Sequence, residues 1–268
     1  MKGKIVFLST ILVFGLGGYG TANAEESENL IQLTPEEITE FQEYGFHEGQ
    51  LVEGLTQELY ETYKGAEVEA FDKVIYEYIE DNDGSVEYEV VTEEVYESRS
   101  AENEFGLLNE TEDSGWIILE LTVSNVGGGE RMVQNSFTFQ GHSPSSTFRD
   151  AVGISHDHNS QNRSAGTSFW YQTDASGSGT YEFQENTNTG IGIAFDLQNE
   201  PTGQNHRGSF SMPVVDSGAA DKATVYGHYI HTNTPSWFEN ISIGFGTFSV
   251  SGVNSTSQAT APSATWDW

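Results

Sequence analysis

The sequence predicts a mainly β fold: an antiparallel β-sandwich or jelly-roll-like body with a short acidic N-terminal helical extension. Three observations point there. Apolar and polar residues alternate in almost every segment after Ser114, turn residues separate those segments, and the acidic residues crowd in front of them. Of the 41 Asp and Glu residues, 28 lie between Glu25 and Asp113, where only Lys64, Lys73 and Arg99 oppose them.

The chain opens with Lys2 and Lys4, an apolar run from Ile5 to about Tyr19, and Ala22-Asn23-Ala24, a small-x-small cleavage pattern. Residues 1–24 therefore read as a signal peptide. The run is short for a membrane span and is broken by Gly15, Gly17, Gly18 and Gly20, so stable membrane insertion is not expected. The expected location is secreted, either extracellular or associated with the cell surface. The chain has no cysteine, so disulfides are unavailable and the mature length must supply a core of its own. The expected division is a signal peptide at 1–24, an acidic helical extension at 25–66 and a β-sandwich domain at 67–268.

Within the extension, Thr34 is placed as an N-cap, with Pro35 at the first helical position and Glu37 three residues after the cap. Ile38 and Phe41 then share a face, and Gly45 ends the turn. Leu51, Leu55, Leu59 and Tyr63 are spaced for a second short helix. From Ala70 the period changes to two, and 70–97 reads as a Val/Ile/Tyr-rich hairpin turning at Asn82-Asp83-Gly84. An EF-hand is excluded there. With Gly84 at the sixth position of the loop, Ile79 and Val90 fall where carboxylates are required. Further strands are expected in WIILELTV and GIGIAFDL, and at 131–140, 148–155, 167–173, 207–215, 223–232 and 241–250. No fixed-period repeat suggests a propeller or solenoid.

FQEYGFHEGQLVEGLTQELYETYKG, the Tyr-rich hairpin after it, and the segments FRDAVGI, GIGIAFDL and YGHYIHT carry a resemblance. In their order they resemble a group of exported Firmicutes (Gram-positive) proteins of unknown function, with an acidic helix-turn-helix segment before a C-terminal β region. The resemblance implies export and a β body, and it implies no catalytic residues.

The formal charge of −31 falls to −33 once Lys2 and Lys4 leave, which excludes nucleic acid and anionic bilayers as partners. Two candidate sites remain. In GISHDHNSQN, a continuing strand would put Val152, Ile154, His156 and His158 on one face and Asp157 on the other. Two imidazoles need a third ligand to hold zinc, and His228 and His231 lie on opposite faces of a later strand, so one of them is the candidate. The second candidate is aromatic. Phe169-Trp170-Tyr171, Trp237-Phe238, Trp266 and Trp268 offer flat rings for stacking on sugars, or equally for packing between the sandwich core and the helical extension. No Gly-x-Ser-x-Gly elbow is present, and a thiol mechanism is excluded.

The expected function is that of a non-enzymatic extracellular or cell-wall-associated binding protein without a cofactor, with Trp170, Trp237 and Phe238 at the ligand and a cell-wall glycan or another extracellular ligand as partner. The alternative is a metal-dependent extracellular enzyme, using a divalent ion on His156, His158 and His228 or His231.

Overall fold

Thr34 caps the first helix as its sequence requires: its hydroxyl accepts from the Glu37 amide while the Glu37 carboxylate accepts from the Thr34 amide. The computed structural model describes residues 30–80, 86–104, 114–141, 149–163, 167–172, 181–196, 206–232, 240–251, 256–259 and 262–268. The signal segment 1–24, the Asn82–Gly84 turn, Trp237 and Phe238 lie outside these residues.

The extension holds three helices, α1 (Pro35–Glu43), α2 (Glu48–Glu53) and α3 (Gln57–Tyr63). The single second helix expected from the leucine spacing is split. Gly54 takes φ +103, Leu55 pairs with Ile31 across the chain, and Thr56 starts α3 by accepting the Leu59 amide. The residues described after the extension are mainly antiparallel β. One sheet runs β2 (Val86–Val91), β1 (Glu67–Glu80), β3 (Ser114–Gly127), β4 (Glu130–Gly141) and β10 (Arg207–Asp216), with β6 (Ser160–Asn162) and β7 (Ser168–Gln172) both on the far side of β10. The second runs β8 (Tyr181–Thr187), β9 (Gly190–Asp196), β5 (Arg149–His156) and β11 (Lys222–Thr232), with β14 (Thr256–Ala259) and β15 (Ser263–Asp267) sharing the far side of β11. Each shared side is broken near a proline. Pro213 falls between the stretches of β10 that pair β7 and β6, and Pro262 accepts the Gly227 amide between β14 and β15.

The sheets bury their facing sides against each other. Ile117, Leu119, Leu121, Val123, Phe137 and Phe139 of the first meet Val152, Ile154, Ile193, Phe195 and Tyr229 of the second, with Phe137 and Tyr229 ring centroids 4.9 Å apart. A polar residue crosses this layer. Buried Asn135 donates both amide hydrogens to the second sheet, to the Gly153 carbonyl at 3.0 Å and the His228 carbonyl at 3.1 Å. Replacing Asn135 by Ala is expected to cost about 2–3 kcal/mol, because two buried carbonyls lose their donor. Urea unfolding checks this, and a loss below about 0.5 kcal/mol would contradict the pinning role.

Both outer faces are covered. Over the first sheet, α1–α3 place Phe41, Tyr44, Phe46, Leu51, Leu55 and Tyr63 around Met132. The Tyr63 hydroxyl and Gly45 carbonyl bracket the Gln134 amide group. At the other end lies α4 (Glu93–Glu104), where strand was expected to continue to residue 97. The Thr92 hydroxyl accepts the Val95 amide, acids fill the first turn, and Tyr96 packs edge-on against Trp116 at 5.4 Å. The 70–97 hairpin is therefore a strand pair integral to the sheet, with β1 paired to β3 from Glu67 to Ile79, followed by a helix.

The segment 241–250, expected as one strand, is itself a hairpin. It comprises β12 (Asn240–Gly244) and β13 (Thr247–Ser251), turning at Phe245 and Gly246, with Gly246 at φ +65. It pairs with neither sheet among the described residues. Instead it lies on the outer face of the second through Ile241 and Phe248 against Ala151, Ala194 and Ile230. The glycines of VGIS and GIGI make room for it. A Cβ on Gly153 or on Gly192 would lie 2.4 Å from the Phe248 ring.

Candidate functional site: a polar cleft at one end of the sandwich

β5 stops at His156 because the next residue closes a turn. The Asp157 carboxylate accepts the Asn159 amide at 2.9 Å and the Thr224 amide at 3.0 Å, tying the turn to β11. The buried His156 ring spans the turn. Its Nδ1 donates to the Asp157 carbonyl at 2.6 Å, and Nε2 lies 3.0 Å from the Asn162 side-chain amide. Asn162 in turn donates to Asn186 at 3.0 Å, and Ser217 donates to the His158 carbonyl at 3.0 Å. Four chain reversals thus meet at one end of the molecule. They enclose a cleft of about 400 Å³ lined by His158, Ser160, Gln161, Asn162, Asn188, Ser217 and Phe245.

Among the described residues the lining carries no Asp, Glu, Lys or Arg. Phe245 tips the β12–β13 hairpin with 59% of its surface exposed, and the His158 ring stands edge-on to it at 6.2 Å. The cleft therefore pairs one flat apolar face with side-chain amides and hydroxyls that both donate and accept.

The sequence-predicted histidines are not brought together. His156 is spent on the turn and His158 stands exposed in the cleft wall. His228 lies on the opposite face of the second sheet, where Nε2 shares a 2.7 Å hydrogen bond with Ser155 Oγ. Its ring stacks on Phe248 at 5.3 Å and 12°, and burial pushes its pKa down to about 4. His231 belongs to a buried group in which its Nδ1 and the Tyr229 hydroxyl both bond the Asp150 carboxylate. Among the described residues, no three His, Asp or Glu side chains are grouped to hold a metal ion. The parity reading missed this because β5 ends at His156, two residues before His158, and the chain turns before His158 can continue its face.

The aromatic candidates divide as well. Phe169 and Tyr171 face the core, 5.2 Å from the Phe195 ring in each case. Trp170 faces the helical extension, donating its indole N–H to Glu53 at 3.1 Å and lying 5.6 Å from the His47 ring. Trp266 is buried and meets Trp268 edge-on at 5.2 Å, with the Arg131 guanidinium over the Trp268 ring.

No family model and no curated protein matches the chain. Among solved structures it is similar to the RrgB pilus protein of Streptococcus pneumoniae, at 8% identity over 51% of this chain and 29% of that one, with a TM-score of 0.31. It is similar to the collagen-binding domain of a Staphylococcus aureus adhesin, at 7% identity over 48% of this chain and 87% of the domain, with a TM-score of 0.27. The collagen adhesin of S. aureus is similar at 8% identity over 74% of this chain and 84% of that one, with a TM-score of 0.27. The chain spans less than half the length of the RrgB structures it matches.

Sequence reasoning passed over Asn188, Ser217 and Phe245. A local signal existed only for Phe245, a large aromatic between Gly244 and Gly246 at a hairpin tip. Among the described residues no helix is long and apolar enough to cross a membrane.

Proposed function

We propose that this chain is a secreted, non-enzymatic binding protein whose cleft takes an uncharged, hydroxyl-rich ligand, a segment of cell-wall glycan. The observation that carries the reading is the absence of any carboxylate from the described cleft lining, in a chain with 41 acidic residues. A cation or a basic peptide would call for some of those acids, and an anion would call for lysine or arginine. A sugar ring needs an aromatic face for its C–H surface and neutral donors and acceptors for its hydroxyls, which Phe245, Asn162, Gln161, Asn188 and Ser217 supply. The volume is within the range of small-ligand clefts.

Co-sedimentation with purified, protein-free wall glycan tests the reading. Phe245→Ala and Asn188→Ala, both at exposed turn positions, are expected to leave the fold intact and to weaken retention about tenfold each, a loss of about 1.4 kcal/mol. Trp170→Ala is expected to retain binding. Loss in Trp170→Ala alone would move the ligand to the β7 aromatic, and unchanged retention in all three variants would overturn the cleft assignment.

A further inference from the structure

We propose that the β12–β13 hairpin is a pH-responsive flap that carries one wall of the cleft and is released when His228 takes up a proton. The inference rests on the reading of the cleft as a binding site only for its consequence on ligand, since the flap's docking is separate geometry.

Among the described residues the hairpin pairs with neither sheet; side-chain packing holds it there, with Thr189 Oγ1 donating to the Ile243 carbonyl at 2.9 Å. Its anchor is Phe248, seated in the hollow left by Gly153 and Gly192 and stacked on His228. Its turn rests on Tyr226, whose ring lies 3.1 Å from where a Gly246 Cβ would be. Its tip, Phe245, is the aromatic wall of the cleft. Moving the hairpin therefore moves that wall, and the same motion uncovers His228.

His228 is poised against protonation while the hairpin is docked. It is buried, and Nδ1 has no hydrogen-bond partner among the described residues. Among the described residues no charged side chain is placed to compensate it. The neighbouring outer-face residues of β5 are Ala151, Gly153 and Ser155, and Asn240–Ser251 contains no charged or titratable residue. Along β11 the outer-face neighbours are Tyr226 and Ile230, with the Lys222–Asp267 pair beyond at the strand's start. β14 contains no titratable residue, and β15 contributes that one Asp267. Glu182 and Glu185 are on β8, registered with Ala194 and Gly192 and separated from β11 by β5 and β9. An imidazolium under Phe248 would lose its hydration with no anion in return, so proton uptake favours the undocked hairpin. The docked ring has its pKa held down to about 4 by burial, against an ordinary value of 6.5. Linkage then raises the undocked fraction about 30-fold between pH 7.5 and pH 5.

The chain has no cysteine, so a single thiol reports the motion. Ile241→Cys, under the flap, is labelled with 4,4′-dithiodipyridine, and its rate is divided by that of Ser242→Cys on the exposed side, which cancels the reagent's own pH dependence. The ratio is expected to rise about 30-fold from pH 7.5 to pH 5 while near-ultraviolet circular dichroism stays native. His228→Gln keeps a partner for Ser155 and His228→Phe keeps the stack, and in both the ratio is expected to stay flat. A flat ratio with His228 present, or a rise that persists in both variants, would overturn the flap. Loss of glycan retention is read separately in protein with Phe248 and His228 intact at pH 7.5, so failure of the ligand reading leaves the labelling result standing.

Discussion

Acidification from pH 7 to pH 4 is expected to remove about 3 kcal/mol of folding stability through His228 alone. Burial lowers its pKa to about 4 in the folded chain, while in the unfolded chain it titrates near 6.5. The unfolded state therefore binds more protons across that interval. The stabilisation is complete above pH 6.5, falls as the pH drops through the window, and is gone below about pH 4. His47 has the same sign. Burial under Trp170 lowers it to about 4, although its Nε2 lies 3.0 Å from the Gly208 carbonyl, and its partial exposure makes its contribution smaller. Glu120 runs the other way, since burial raises its carboxyl pKa and acid relieves it. Protonation of the many surface carboxylates also relieves self-repulsion, equally in every variant. The informative quantity is thus the difference between the natural chain and His228→Gln in urea midpoints at pH 7, 5.5 and 4. That difference is expected to narrow by about 3 kcal/mol on acidification, and a constant difference would contradict the burial of a neutral imidazole.

Asp150→Ala is expected to cost about 3–5 kcal/mol, the largest effect of any single substitution considered. The Asp150, Tyr229 and His231 side chains are all essentially inaccessible, and the carboxylate accepts from Tyr229 through one oxygen and from His231 Nδ1, at 2.8 Å, through the other. Tyr229 packs against the Phe137 and Phe139 rings and all three side chains are buried, so water cannot take the carboxylate's place without opening the core. Alanine leaves a phenol and an imidazole without their common acceptor and adds a void. Asp150→Asn, which preserves shape and one acceptor oxygen, is expected to fall between. Urea unfolding distinguishes these outcomes, and a loss below about 1 kcal/mol for Ala would contradict a buried group held by that carboxylate.

The strands were legible because burial on one or two faces imposes a period of two, as in Leu119, Leu121 and Val123 of β3. The cap at Thr34 was legible because it is local chemistry. The same kind of signal at Thr92, followed by Glu93 and Glu94, was outweighed by the valines and tyrosines before it, and the first part of α4, to residue 97, was read as strand. The hairpin at 240–251 was hidden inside an apparently continuous alternation, marked by no turn signal stronger than Gly244 and Gly246. The glycines at 153 and 192 looked like weak points in core strands. Their purpose is visible only once Phe248, some 56 residues beyond Gly192, is seen to occupy the space above them. The cleft has the same character. It joins residues 158, 160–162, 188, 217 and 245, which four turns bring to the same end of the sandwich. His158 was singled out as a metal ligand; it lies in the cleft wall, where its neighbours are amides, hydroxyls and a phenylalanine.

The most direct test of the cleft as a glycan site is amide chemical-shift mapping at pH 7.5, titrating isotope-labelled protein with a soluble, uncharged wall-glycan oligosaccharide. Binding there should shift resonances of His158–Asn162, Asn188, Ser217 and Phe245 together in one saturable curve, and Phe245→Ala should weaken that curve about tenfold. Shifts confined to Ser168–Gln172, or none up to millimolar oligosaccharide, would contradict it.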